Sequence, residues 1–356
     1  MNILITGANG FVGKNLCLHL KNKYPEYNII KFDIGDDLEN VCKEADYVFH
    51  LAGVAGKAYA EEFNKGNTLL TKELLIELTK HKKPPVAMAS SLHALNQNPY
   101  GVSKKAAEEL LIEYGKNTKT FIFRFPNLFG KWSKPNYNSV VSTFCYNITH
   151  GLPIEIRDKT HEITLMYIDD ACEMMLDTLT INESNIYSES IKGEKITVGD
   201  LAELIYSFKT QIIPDLSNDF VRKLYSTYIS YITDLTEEIN PKADNRGAFV
   251  ELLKSKSFGQ VSINVTNPGS TKGNHYHHTK WEKFITISGE GVIRLRKIGE
   301  TEIKNIFVNA VNPKVVNIPP GYTHSMVNTS QADLVTLIWA DEVFDENKPD
   351  TFYEEV

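Results

Sequence analysis

Three glycines spaced three apart, placed where an apolar strand gives way to a helix, constrain this chain more than any other feature. Residues 3–6 are short and apolar. Gly7-Ala8-Asn9-Gly10-Phe11-Val12-Gly13 follows, and apolar residues then recur at helical spacing over 11–21. Glycines in that context permit a tight turn, a close backbone approach to a pyrophosphate and close packing of helix on strand. Gly7, Gly10, Phe11, Val12 and Gly13 are therefore candidates to hold a dinucleotide.

The alternation continues. Residues 29–32 and 47–51 read as strands, 68–80 as a helix, 85–89 as a strand, 103–114 as a helix and 121–124 as a strand. This order predicts an α/β, Rossmann-like, doubly wound parallel sheet. Asp33 ends the second strand about 20 residues beyond Gly13, where a carboxylate accepts ribose hydroxyls and repels a 2′-phosphate. No arginine follows within Ile34-Gly35-Asp36-Asp37, so NADH is expected to serve at least as well as NADPH. Leu51, Ala52 and Gly53 end the third strand, and their small members let the backbone approach a cofactor.

Tyr100 and Lys104 stand four apart and share one helix face. A free phenol, with a pKa of about 10, is a poor base near neutrality. A neighbouring ammonium and a nicotinamide cation favour its ionised form. Ser91 follows the strand ending at Ala89 and can reach the same substrate oxygen.

The texture changes at residues 239–247, which are polar and rich in breakers. Beyond them short alternating runs recur at 260–265, 283–288, 292–297, 315–318 and 334–339, the pattern of an antiparallel barrel or sandwich. The expected organisation is a first domain over 1–238, a linker at 239–243 and an all-β domain over 244–356. A length of 356 residues suits that division, since single cores stop growing at about 250–300 residues. Helical spacing is also expected from 198 to about 233.

In the second domain His275 and His277 are two apart and face one side of a strand. Glu282 lies five further on, and His324 follows Pro319-Pro320-Gly321-Tyr322-Thr323. Three imidazoles and one carboxylate suit zinc or another borderline divalent metal with an open position. His278 alternates outward.

Composition excludes other classes. Hydrophobic residues make up 42% and charged residues 23%, as in ordinary globular proteins. The net charge of −7, with no long basic run, argues against nucleic acid or an anionic membrane as partner. Cys17, Cys42, Cys145 and Cys172 form no Cys-x-x-Cys pair and read as reduced thiols. The chain starts directly on a strand, without signal-peptide regions or a spanning segment, so a cytoplasmic location is expected.

The glycine motif, Leu51-Ala52-Gly53, Ser91, Tyr100, Lys104, Arg124-Phe125-Pro126-Asn127-Leu128-Phe129-Gly130 and Tyr167-Ile168-Asp169-Asp170 together resemble the extended short-chain dehydrogenase/reductases that act on nucleotide sugars. The resemblance covers roughly residues 1–230. It implies that Ser91, Arg124, Asn127, Lys131 and Asn138 face the sugar nucleotide. Asp169 and Asp170 also suit a helix cap. Dehydratases of this group carry an Asp-Glu pair after the catalytic hydroxyl. Here Leu92-His93-Ala94 follows Ser91, which disfavours dehydration and leaves an internal-redox epimerase or a reductase.

Residues 244–356 resemble the cupins. Their start, Asp244-Asn245-Arg246-Gly247-Ala248-Phe249-Val250-Glu251, is similar to the nucleoside-diphospho-sugar epimerase cupins, which generally lack a metal. The order of the two domains, Lys272-Gly273-Asn274-His275-Tyr276-His277-His278-Thr279-Lys280 and Lys348-Pro349-Asp350-Thr351-Phe352 resemble the CapF family of bifunctional capsular polysaccharide and O-antigen enzymes over essentially the whole chain. That resemblance implies a UDP-sugar substrate. A zinc cupin epimerises C3 of a UDP-2-acetamido-2,6-dideoxy-4-keto-hexose, and an NAD(P)H-dependent reductase then reduces C4, on the way to UDP-N-acetyl-L-fucosamine. A homodimer is expected. Lys272 and Tyr322 adjoin the metal motifs and are candidates for the epimerase's proton transfers, with a solvated surface role as the alternative for each. Two rival readings stand beside this one: a one-step reductase or 4-epimerase whose cupin only staples a dimer, and a non-catalytic nicotinamide or sugar sensor.

Overall fold

Ile3 and Ile5 point to one face of the first strand and Leu4 to the other, and all three are fully buried. The same split recurs at Phe49 against Val48 and at Phe121 and Phe123 against Ile122. Strands covered on both faces read as apolar runs, as parallel sheets require. The computed structural model, which describes residues 1–187, 191–210 and 212–356, places these strands in one six-stranded parallel sheet. Its order is Asn28–Phe32, Asn2–Thr6, Tyr47–His50, Val86–Ser91, Thr120–Phe125, Asn185–Tyr187. Helices Phe11–Lys23 and Ile168–Asp177 supply Leu16, Leu20, Cys172 and Met175 to one face, and helices Leu70–Lys80 and Pro99–Tyr114 supply Leu74, Leu78 and Leu111 to the other. From Asn2–Thr6 the chain moves outward to Asn28–Phe32, then returns past its start to Tyr47–His50. That reversal opens a crevice at the carboxyl ends of the first and third strands, where such sheets bind ligands.

The chain divides into two compact units: Met1–Tyr206 with Lys223–Ile232, and Ser207–Arg222 with Thr233–Val356. The helical spacing expected from 198 to about 233 resolves into two helices with a break between them. Helix Val198–Ser207 is followed by the short strand Ile212–Ile213 and then by helix Asp219–Ile229. Pro214 explains the break, because it removes a donor and biases Ile213 towards extended backbone. Ile212 and Ile213 pair in parallel with Lys254 and Ser255 of the second unit. Residue 211 lies outside the described residues. Lys242–Asp244 is already a strand, paired with Gly247–Ser255, so ordered structure begins inside the segment read as linker.

The second unit is built from two mainly antiparallel sheets. One has seven strands, running from Ile212–Ile213 through Gly247–Ser255, Gly259–Thr266, Leu334–Ala340 and Glu282–Ser288 to Val315–Ile318, with Lys242–Asp244 beside it. The other has five: Ile303–Asn309, Glu290–Lys297, Tyr322–Asn328, Thr271–Tyr276 and Phe352–Tyr353. Phe284, Ile293, Val316, Ile318, Met326 and Leu334 form its core. In Gly259–Thr266 the more deeply buried set is polar: Gln260, Ser262, Asn264 and Thr266. A barrel wall facing a cavity inverts the usual apolar-in alternation. Among the described residues no helix is long and apolar enough to cross a membrane.

Candidate functional site

Gly7 has φ 70°, and a Cβ there would sit 2.7 Å from the Ala52 nitrogen; a Cβ on Gly13 would sit 2.2 Å from the Gly7 oxygen. The glycine loop and the Leu51-Ala52-Gly53 turn thus press backbone against backbone. Thr6 Oγ1 accepts the Leu51 and Ala52 N–H groups at 3.2 Å each and bonds His50 Nδ1 at 2.7 Å. His50 Nε2 meets Thr71 Oγ1 at 2.8 Å. Burial, helped by the Lys104 charge, pushes His50 down to about 3, so a neutral imidazole braces this turn. Asp33 Oδ2 accepts the Asn9 N–H at 2.8 Å, which places the carboxylate on the glycine loop.

Helix Pro99–Tyr114 starts at an Asn98 cap that accepts the Gly101 N–H, with Pro99 in its first turn. Tyr100, Lys104 and Glu108 follow at intervals of four. Gly101 has no room for a Cβ, which would lie 2.3 Å from the His93 oxygen. The helix start therefore presses on the Leu92–Leu95 turn that follows Ser91. Burial raises the half-buried Tyr100 phenol above its ordinary value, and a hydrogen bond with Ser91 opposes the rise. Lys104 Nζ donates to the Ala89 carbonyl at 2.9 Å; burial lowers it to about 8, with Glu108 opposing. A hydrogen bond thus joins Tyr100 to Ser91, while Lys104, one turn along the helix, sends its Nζ to the Ala89 carbonyl two residues before Ser91.

Other residues expected to face substrate are held by this unit's own groups. Glu108 is fully buried and accepts Ser90 Oγ at 2.6 Å and the Arg124 guanidinium at 2.7–3.2 Å. Removing Arg124 would leave the buried Glu108 carboxylate to Ser90 and to Lys105 at 3.7 Å, so this side chain carries a structural load. Lys131 Nζ lies 2.6 Å from Asp169, which also holds His19, while Asp170 pairs with Lys223. The exposed Asn127 donates to the Thr164 carbonyl at 3.3 Å. The Asn138 side chain lies against Gly56.

Three residues escaped the sequence reading. Glu108 was within reach, one turn beyond Lys104. His50 and Asn67 were not, because their partners are remote in sequence. Asn67, in a widened helical turn, bonds Ser103 Oγ at 2.9 Å and both backbone groups of Val54.

In the second unit His275, His277, Glu282 and His324 each offer a donor atom, and these atoms all lie within 4.8 Å of one another. A bulge between Gly273 and His275 aligns them. Asn274, at φ 58°, is the extra residue, so Lys272 and His275 both face inward despite being three apart. The cluster forms part of the lining of a cavity of about 390 Å³, together with Lys242, Arg246, Lys272 and Glu251. Lys272 Nζ donates to the Ala248 and Val265 carbonyls at 3.0 and 3.2 Å, and burial lowers its pKa. Tyr322 is placed differently from the sequence expectation. It packs against the core cluster and is absent from the cavity lining. His278 is exposed, as its alternation requires.

Comparison with known proteins fits this architecture. Residues 3–189 match the NAD dependent epimerase/dehydratase family, and residues 242–352 match the polysaccharide biosynthesis C-terminal domain. The chain is 42% identical to the capsular polysaccharide assembling protein CapF from Staphylococcus aureus, with a TM-score of 0.89 over 100% of both chains. It is 40% identical to a UDP-2-acetamido-2,6-beta-L-arabino-hexul-4-ose reductase of Pseudomonas aeruginosa, covering 99% of this chain and 98% of that one. This chain belongs to the CapF family. A UDP-glucuronic acid 4-epimerase from Bacillus cereus, 21% identical with a TM-score of 0.55 over 66% of this chain and 97% of that one, shares the fold of part of it.

The donor atoms of this CapF-family chain fit a divalent metal. His277 Nε2, His324 Nε2 and Glu282 Oε2 are buried without a hydrogen-bond partner, although such groups normally find one. Glu282 Oε2 stands 3.4 Å from each of the two imidazole nitrogens. Ligands of a tetrahedral ion with bonds of about 2.0–2.1 Å stand about 3.3 Å apart. Burial and the neighbouring His275 push His324 down to about 3, leaving a neutral imidazole. Burial raises the Glu282 carboxyl, but the surrounding imidazoles more than offset this and hold it below its usual value. Burial likewise lowers His275, and lowered imidazoles at His275 and His324 favour the unprotonated rings that metal binding needs.

Proposed function

We propose that this chain is a cytoplasmic, bifunctional UDP-sugar enzyme. Its second unit epimerises C3 of a UDP-2-acetamido-2,6-dideoxy-4-keto-hexose, and its first unit reduces the C4 ketone with NAD(P)H, in the UDP-N-acetyl-L-fucosamine route of capsule or O-antigen synthesis. One observation carries the bifunctional reading. A buried three-histidine, one-glutamate cluster lines a cavity in one unit, while Ser91, Tyr100 and Lys104 assemble in the other. The Pseudomonas aeruginosa relative, a UDP-2-acetamido-2,6-beta-L-arabino-hexul-4-ose reductase, supports the choice of ketone.

In the first unit Gly7, Gly10 and Gly13 would cradle the dinucleotide, whose nicotinamide would supply the hydride. Tyr100, protonated because burial raises its pKa, gives its proton to the C4 oxygen. Ser91 hydrogen-bonds the same oxygen and orients it. The Lys104 ammonium stabilises the phenolate left behind. Asp33, held at the glycine loop, disfavours a 2′-phosphate, so kcat/KM for NADH should equal or exceed that for NADPH.

In the second unit His275, His277, Glu282 and His324 would hold zinc or a similar divalent ion, which supplies Lewis-acid polarisation at the sugar carbonyl. A C4 carbonyl makes the C3 proton acidic. Lys272 faces the cavity and burial lowers its pKa, so it is the residue we assign to take that proton, with solvent returning one to the opposite face of C3. The cavity, partly walled by protein, keeps the developing charge away from bulk water. An open cavity beside the cluster also distinguishes it from a closed structural site.

The product tests the proposal. The UDP-4-keto sugar and reduced cofactor should yield one oxidised cofactor per sugar and a C4 alcohol with inverted C3, identified by proton NMR couplings. A reduced sugar with the original C3 configuration would overturn the epimerase half. An unreduced ketone would overturn the reductase half.

A further inference from the structure

Resting on the metal reading of the histidine cluster, we propose that Asp350 is the positioning residue of that site, holding His277 and the loop behind it in the geometry that binds the ion. Three of the four ligands lie on strands: His275 on Thr271–Tyr276, Glu282 on Glu282–Ser288 and His324 on Tyr322–Asn328. Sheet hydrogen bonds fix these three. His277 lies beyond the end of its strand; its carbonyl accepts the Gly321 N–H at 2.7 Å, but the N–H groups of the three residues after it have no ladder partner.

Asp350 replaces the ladder. Its Oδ1 accepts the His278 N–H at 2.9 Å, and its Oδ2 accepts the Thr279 and Lys280 N–H groups at 2.9 Å each and the Thr279 hydroxyl at 3.0 Å. One carboxylate thereby satisfies three successive backbone donors of the loop. Its main-chain carbonyl accepts from His277 Nδ1. A carbonyl has no proton to give, so Nδ1 carries the proton and Nε2 keeps its lone pair. That Nε2 is the buried, unpartnered atom 3.4 Å from Glu282. Both functions of Asp350, ordering the loop and selecting the tautomer, act on one ligand.

The tail that carries Asp350 is itself anchored. Tyr353 and Phe352 pair with His275 and Tyr276, and the Glu354 N–H donates to the Asn274 carbonyl at 3.0 Å. Thr351 lines the cavity. Some 70 residues after the first histidines, the chain returns to complete their site. Losing an outer partner of a metal ligand typically weakens metal binding 10–100-fold.

The test uses the full-length chain, with zinc affinity measured by competition against a chromophoric chelator. The His277 tautomer is read in the zinc-free protein by long-range imidazole nitrogen–proton NMR at a pH where the rings are neutral. Wild type should bind zinc and show the Nδ1–H tautomer at His277. Asp350→Ala should bind zinc 10–100-fold more weakly and show a mixed tautomer, with NADH binding by the first unit retained as evidence of a folded chain. Asp350→Asn keeps the size and one acceptor oxygen and should fall between the two. It also decides the matter if the alanine variant fails to fold. Wild type that binds no zinc would sink the metal reading and this inference with it. Wild type that binds, with both variants within twofold of it and the same tautomer, would overturn the inference alone.

Discussion

Burial moves Lys104 and Tyr100 in opposite directions on the pH scale. Removing each from water disfavours its charged form, so the lysine drops to about 8 and the phenol rises. Near neutrality the pair therefore holds two protons, one to donate and one to keep as charge. Reductase kcat/KM should fall as pH rises through about 8, because Lys104 becomes neutral there while Tyr100 is still protonated. Stability responds with the other sign. Lys104 has a folded pKa below its unfolded value of about 10.4, so between pH 8 and about 10 the unfolded chain binds more protons at this site. The site's contribution to stability thus rises with pH over that window. Measuring kcat/KM and denaturant unfolding across pH 7–10 checks both trends. A reductase profile flat to pH 10 would contradict the role given to Lys104. The charge pattern here was partly legible: Tyr100, Lys104 and Ser91 could be read from spacing, and Glu108 lay one further turn along the same helix. Asp350 was quoted in the sequence only as part of a motif. Its role depends on hydrogen bonds to residues about 70 positions earlier, which no local pattern encodes.

At the scale of elements, the parallel sheet was readable because both its faces are buried, which makes each strand a short apolar run. Helix Pro99–Tyr114 begins four residues earlier than the reading placed it, since Pro99 and Gly101 look like breakers but serve as a first-turn proline and a close-packing glycine. The helical spacing over 198–233 corresponds to helices Val198–Ser207 and Asp219–Ile229, but it does not show the break between them, where Pro214 and the strand at Ile212–Ile213 interrupt the backbone. Gly247–Ser255 gives no alternating signal, being half-buried along most of its length. The glycine loop supports a prediction at this scale. Gly13→Ala places a Cβ 2.2 Å from the Gly7 oxygen, a backbone atom that cannot step aside. Titration calorimetry should show NADH and NADPH binding weakened at least tenfold, with zinc uptake by the second unit unchanged. Equal cofactor affinity in the variant would contradict the close packing that the loop requires.

For the whole molecule, each unit has its own core and its own candidate site, built entirely from its own residues. The shift in texture near residue 240 coincides with the start of the strand-rich part at Lys242–Asp244. The contribution of Ser207–Arg222 to the second unit was not legible, because it depends on a two-residue parallel pairing. Two sites and two chemistries in one chain are the central claim, and one labelling experiment addresses it directly. Wild type, Tyr100→Phe and Glu282→Gln are each incubated with the UDP-4-keto sugar in deuterium oxide, with and without reduced cofactor, while deuterium at C3 and cofactor oxidation are followed separately. Wild type should do both. Tyr100→Phe should lose cofactor oxidation by about 10²–10⁴-fold and keep C3 exchange, while Glu282→Gln should lose exchange together with its metal. Loss of both activities in folded Tyr100→Phe, or full exchange in a metal-free Glu282→Gln chain, would contradict the division of labour between the two units.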